Sequence, residues 1–123
     1  MPDEPEDVLD QATLDSLLES VGDDVEFLAE LIDTYVADAP DQLEALHAAL
    51  AAGDAAGLVR PAHTLKSASA SLGALGLAER CRLLEASAKT GSLDGAAQAV
   101  DGIAEEVQRV TNALERTKRS FAA

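Results

Sequence analysis

Aromatic side chains are nearly missing from this chain: it has Phe27, Tyr35 and Phe121 and no Trp. Its core must therefore be assembled from Ala, Leu, Val and Ile, with Ala and Leu in the majority, which is a helix-forming composition. No period-two apolar run is long enough for a strand. A single cysteine, Cys81, excludes an intramolecular disulfide and leaves a zinc site short of ligands, so a small buried hydrophobe is its expected role. No apolar run approaches the ~20 residues of a membrane span. Residues 1–7 are acidic and lack the basic and apolar parts of a signal peptide, so the cytoplasm is the expected location. Nor is there a Gly-rich loop followed by Lys and Ser/Thr, a Ser-His-Asp arrangement, or His and acids at metal-ligand spacing. An ATP site and an autonomous catalytic centre are therefore not expected, and no metal or other cofactor is expected on this chain.

Positive charge is missing from the whole first half. Residues 1–59 carry 16 acids and no Lys or Arg, while residues 60–123 carry 7 acids and 9 bases, which together make the net −14. So acidic a half repels phosphate backbones and anionic lipid, which argues against nucleic-acid or membrane binding through it. A solvated, solubilising face is its plainest reading. The first two basic residues, Arg60 and Lys66, lie on either side of His63, where a site handling phosphoryl groups would want them.

What is present is helical periodicity. Residues 1–9 read as a disordered acidic tail. A short helix is expected at 13–20, with Leu14, Leu17 and Leu18 on one side. Gly22 ends it, and Asp23 or Asp24 can cap the next. From Val25 the apolar positions 28, 32, 35, 39, 43, 46 and 50 describe a long amphipathic helix, kinked or divided at Pro40. Gly53 and Asp54 offer a break and a cap, after which a helix carrying His63 runs to about Leu72. Pro61 makes either a bend near His63 or an ordinary early-helix proline. Gly73 and Gly76 frame a turn, and Leu77, Cys81, Leu84 and Ala88 form the stripe of a helix ending near Thr90. Ser92 can cap a last helix, with Leu93, Ala96, Val100, Ile103, Val107, Val110 and Leu114 at three-four spacing. Four amphipathic helices joined by short connections imply an all-α, antiparallel four-helix bundle with a short additional N-terminal helix, spanning 10–118, and with 119–123 frayed.

At about 100° per residue, Leu58, Ala62, Leu65, Ser69 and Leu72 form one core-facing stripe, and His63 points roughly 130° from its centre, into water. The neighbours of His63 at helical spacing are Val59, Lys66, Ser67, Ala70 and Ala74: one cation, no acid, and otherwise small or apolar groups. An imidazole on such a shelf is open to another macromolecule. His47, beside Leu43, Leu46 and Leu50 with Glu44 one turn before it, lacks both the Lys and the shelf, and a packed or hydrogen-bonded histidine is expected there.

His63-Thr64-Leu65-Lys66-Ser67, with Gly73 six residues on, resembles the motif of the histidine-containing phosphotransfer (HPt) domain of multistep phosphorelays: His, any residue, Leu, Lys, Gly, then a second Gly. Leu72-Gly73-Ala74 and Leu84-Glu85 fit as well, and the resemblance extends over residues 10–115. It implies that His63 is phosphorylated, that Lys66 supplies a positive charge beside the phosphoryl group, and that a receiver domain docks over Val59, Arg60, Ser67, Ala70 and Ala74. His63 would take the group from a receiver's aspartyl phosphate and pass it to a second receiver, with Mg²⁺ held in the receiver's acidic pocket. Ser67 stands where the family has Gly; its hydroxyl can bond back to the His63 carbonyl. Two other readings stay open. One is a docking module that is never phosphorylated. The other is a sensor-kinase dimerisation fragment, although those kinases usually have an acid after the histidine, where this chain has Thr64, and build their bundle from two chains. The helices of this chain suffice for a monomer, and the lack of a long linker at either end suggests a free-standing protein.

Overall fold

The computed structural model describes residues 8–121. Its helices are α1 (Gln11–Ser20), α2 (Val25–Ala51), α3 (Ala55–Ser71), α4 (Leu75–Lys89) and α5 (Ala96–Ser120). Three of them start on an aspartate, whose side chain accepts a backbone N–H in the first turn: Asp10 from Thr13 at 3.1 Å, Asp24 from Phe27 at 3.1 Å and Asp54 from Gly57 at 3.0 Å. A carboxylate at that place satisfies an orphan donor and meets the positive end of the helix dipole. Part of the acidity of the first half is thus helix capping.

α2, α3, α4 and α5 close a ring in which each packs on the next, and α5 returns against α2. The core is aliphatic, as the composition requires: Leu28, Ile32, Leu46, Leu58, Leu65, Leu77, Val100, Ile103, Val110 and Leu114 are fully buried. A polar contact crosses it. The Tyr35 hydroxyl and the Ser69 hydroxyl meet at 2.9 Å between α2 and α3, and burial, opposed by that bond, pushes the phenol up to about 12. Cys81 is buried in this core; burial, with the nearby Glu85 charge adding to it, pushes its thiol up to about 12.

Several local expectations need correction. α2 is not divided at Pro40 but runs through it as one helix; the proline lies on the exposed side of the helix, where water can take the carbonyl it leaves unbonded. Pro61 is buried inside α3 beyond its first turn, so it is not an early-helix proline, and the helix continues past it. Gly76 belongs to α4. α5 begins at Ala96 after Gly95, which has φ +71°. Ser92 instead accepts the Asp94 N–H within the preceding turn, at 3.1 Å, and Leu93 is left exposed. His47 is exposed on α2 and not packed.

Both ends are also tighter than expected. Residues 1–7 of the expected tail lie outside the described residues, but Val8 and Leu9 are buried in the core. They are held there because the Asp10 N–H donates to the Gly73 carbonyl at 2.7 Å. At the other end, α5 continues through Arg119 to Ser120, and Phe121 packs against the core; residues 122–123 lie outside the described residues.

Candidate functional site

The turn between α3 and α4 sets the site. At the end of α3 the Ala74 N–H reaches the Ser69 carbonyl at 2.8 Å and the Gly73 N–H reaches Ala70 at 3.1 Å, the paired bonds of a Schellman motif, which needs a left-handed residue between helix and exit. Gly73 is that residue, at φ +84°. It has a second reason to be glycine, since a Cβ there would stand 2.8 Å from the Asp10 carbonyl oxygen. The second Gly of the motif therefore belongs to the fold and not to the reacting surface. The same turn carries Ala74 inward, where it is fully buried at 0% exposure. Its expected place on the docking shelf is corrected: helical spacing from His63 no longer applies once α3 has ended at Ser71.

The tight turn folds α4 back along α3 and brings Glu85 beneath His63. Glu85 Oε2 lies 3.0 Å from His63 Nδ1, and Oε1 accepts from Lys66 Nζ at 2.6 Å. Lys89 Nζ, one turn further along α4, is 3.3 Å from Oε2. The carboxylate side chain is only 5% exposed, whereas His63 is 58% exposed and Lys66 29%. The Lys66 hydrogen bond above all, with His63 and Lys89 adding to it, holds the Glu85 carboxyl down to about 2 against the opposing pull of burial.

An ionised carboxylate accepts hydrogen bonds and donates none. Nδ1 must then be the protonated nitrogen of a neutral His63 ring, which leaves the lone pair on Nε2. With Nδ1 turned toward α4 and the ring largely exposed, Nε2 is the nitrogen free for an incoming group.

Of the other expected site residues, Arg60 and Ser67 are exposed, and Val59 and Ala70 are half-buried; all share with His63 the outer side of α3. The serine that bonds back along this helix is Ser71, whose hydroxyl donates to the Ser67 carbonyl at 3.0 Å. The acid missing from the His63 shelf comes from the next helix. Glu85 was not among the expected site residues, although its position flanking the apolar stripe of Leu77, Cys81, Leu84 and Ala88 was a usable signal, because an acid at a stripe's edge needs a partner. An apolar groove of about 240 Å³ between α1, α2 and α3, lined by Leu17, Leu31, Tyr35 and Leu72, opens on another flank of α3, and neither His63 nor Glu85 lines it. Among the described residues, no three His, Cys, Asp or Glu side chains converge as metal ligands. No helix among them is long and apolar enough to cross a membrane.

The family model described as "Hpt domain" matches residues 30–115, more than half of the chain and including His63, Lys66 and Glu85. The chain belongs to the Hpt domain family. It is a histidine phosphotransfer protein of phosphorelay signalling. The Hpt domain is similar to the crystal structure of histidine-containing phosphotransfer protein B from Pseudomonas aeruginosa PAO1, with 36% identity, a TM-score of 0.84, and coverage of 92% of this chain and 96% of that one. It also shares its fold with the HPT domain of a sensor hybrid histidine kinase from Shewanella, with 19% identity, a TM-score of 0.74, and coverage of 89% and 95%. No curated protein sequence matches it. Membership accounts for the ring of four helices within one chain, and it replaces the kinase dimerisation fragment as a reading of this Hpt domain.

Proposed function

We propose that His63 is the phosphoryl-accepting residue of this Hpt domain and that Nε2 is the reacting atom. The observation that supports this is the Glu85 contact at Nδ1, which leaves one nucleophilic nitrogen and aims it outward. In the step, the Nε2 lone pair forms the N–P bond as the P–O bond to the receiver's aspartate breaks, and the carboxylate leaves with the electron pair. No proton moves. The ring keeps its Nδ1–H and becomes an N-phosphoimidazolium, whose positive charge faces the Glu85 carboxylate. Transfer to a second receiver is the same step in reverse.

Phosphoryl transfer needs in-line positioning and charge neutralisation more than covalent help from the protein. Lys66 is the cation for the second task. Val59, Arg60, Ser67 and Ala70 form the docking surface. Residues 55–91 carry five bases and two acids, against 16 acids and no base in residues 1–54, so the α3–α4 hairpin is the cationic part of an acidic protein. That polarity suits the acidic pocket of a receiver, which holds the Mg²⁺ of the reaction, and it orients the encounter. The Hpt domain acts as a monomeric phosphocarrier in the cytoplasm, without an ATP site.

The test is acid-labile, base-stable labelling from a phosphorylated receiver domain. Label should enter wild type and His47→Gln, but not His63→Gln. Labelled His63→Gln would place the acceptor elsewhere. A receiver that binds the wild type but transfers no label would support a docking module in its place. Light scattering after size exclusion should return the mass of one chain.

A further inference from the structure

We infer that Lys89 is a positioning residue for transfer: it is the reserve counter-ion of Glu85, which lets Lys66 leave that carboxylate for the phosphoryl group. The inference rests on the assignment of His63 as the phosphoryl acceptor. In the unphosphorylated site Lys66 is already engaged, with its Nζ 2.6 Å from Glu85 Oε1. An ammonium held there cannot give its full charge to a group arriving at Nε2, on the far side of the ring from Nδ1. It must move toward the phosphoryl oxygens, and in moving it gives up part of the ion pair.

Glu85 cannot lose that partner freely, because its side chain is 5% exposed. A shielded carboxylate left without a counter-ion is strongly disfavoured. The remaining partner on the α3 side is the His63 ring itself, at Oε2. On the α4 side is Lys89, whose Nζ is 3.3 Å from that same Oε2. Lys89 is 62% exposed and sits at i+4 on the helix that carries Glu85, so it follows the carboxylate whatever α3 does. It touches Oε2 and leaves Oε1 to Lys66. The two lysines therefore do not compete for one oxygen, and one can go while the other stays. The ammonium end of this pair is exposed and Lys66 still holds Oε1 in the resting site, so losing Lys89 there costs little stability, which separates its role in transfer from a role in folding.

The experiment is single-turnover transfer from a phosphorylated receiver domain, with the rate at saturating Hpt domain and the half-saturation concentration read separately. Lys89→Met should lower the saturating rate about three- to fivefold, with half-saturation and thermal midpoint unchanged, and Lys89→Arg should restore the rate. In a Lys66→Met background, Lys89→Met should have no further effect, because the ammonium it releases is gone. An unchanged saturating rate, a loss confined to half-saturation, which would make Lys89 a docking contact, or an equal loss in the Lys66→Met background would each overturn the inference. If wild type accepts no label at all, the assignment of His63 fails, and this inference with it; normal wild-type transfer alongside an unaffected Lys89→Met overturns this inference alone.

Discussion

Replacing Glu85 with Gln keeps the side chain's size and removes its charge, so the variant isolates what the carboxylate does. The wild-type group makes one close bond to the half-buried Lys66 ammonium, one to the exposed His63 ring and one to the exposed Lys89. A hydrogen bond to a charged group stabilises by ~1.5–3 kcal/mol and a neutral one by ~0.5–1.5 kcal/mol, while exposed ion pairs add at most ~1 kcal/mol. The amide still bonds as a neutral group, so the expected net loss is about 1.5 kcal/mol at pH 7. With a urea m-value of about 1.5 kcal/mol/M, that moves the unfolding midpoint by about 1 M. The pH dependence carries a sign. The folded Glu85 titrates at about 2, below its ordinary 4.5, so its contribution is complete above pH 4.5 and is lost as pH falls through 2. The midpoint gap between wild type and Glu85→Gln should therefore be constant from pH 7 to 5 and shrink on further acidification, having lost most of its size by pH 2. Transfer should slow about tenfold, the effect of ~1.4 kcal/mol less stabilisation of the imidazolium formed in the step. A gap that persists undiminished at pH 2, or a Gln variant as fast as wild type, would refute the reasoning.

Gly73→Ala places a Cβ at a left-handed φ and 2.8 Å from the Asp10 carbonyl oxygen; the strain and the disturbed Asp10–Gly73 bond should destabilise the bundle by about 2–4 kcal/mol, measured by urea unfolding, and a loss below 1 kcal/mol would contradict this account of the motif's second Gly. Tyr35→Phe removes one buried hydrogen bond and should cost about 1 kcal/mol; in a Ser69→Ala background most of that cost should vanish, and additive losses would show that the two hydroxyls are not coupled. Lys66→Ala removes a side chain that lies off the core stripe and should slow transfer about tenfold or more while lowering the thermal midpoint by only a few degrees; a large loss of stability would contradict its placement beside His63.

The division between chain-local and tertiary information falls at the turns. Along α2 the spacing of Leu28, Ile32, Tyr35, Ala39 and Leu46 is a property of the sequence, and all five are buried. The same arithmetic on α3 turned Leu58, Ala62, Leu65 and Ser69 inward and His63 outward, because an unbroken helix fixes the direction of each side chain from its neighbours'. Where a helix ends, that rule ends with it. Ala74 lay on the His63 side of an imagined continuous helix, but the Schellman turn at Gly73 carries it into the core. Ser92 has the chemistry of a cap, yet α5 starts at Ala96, since cap preferences are worth about 1 kcal/mol and the packing of two long helices outweighs them. Val8 and Leu9 are anchored by a hydrogen bond that reaches across to residue 73. The His63–Glu85 contact joins residues 22 positions apart. The sequence by itself determined that a histidine with a lysine one turn away would face water on a helical bundle. Only the register of α4 against α3, set by a glycine turn and by the aliphatic core both helices share, decided that a carboxylate would meet Nδ1 and leave Nε2 facing outward.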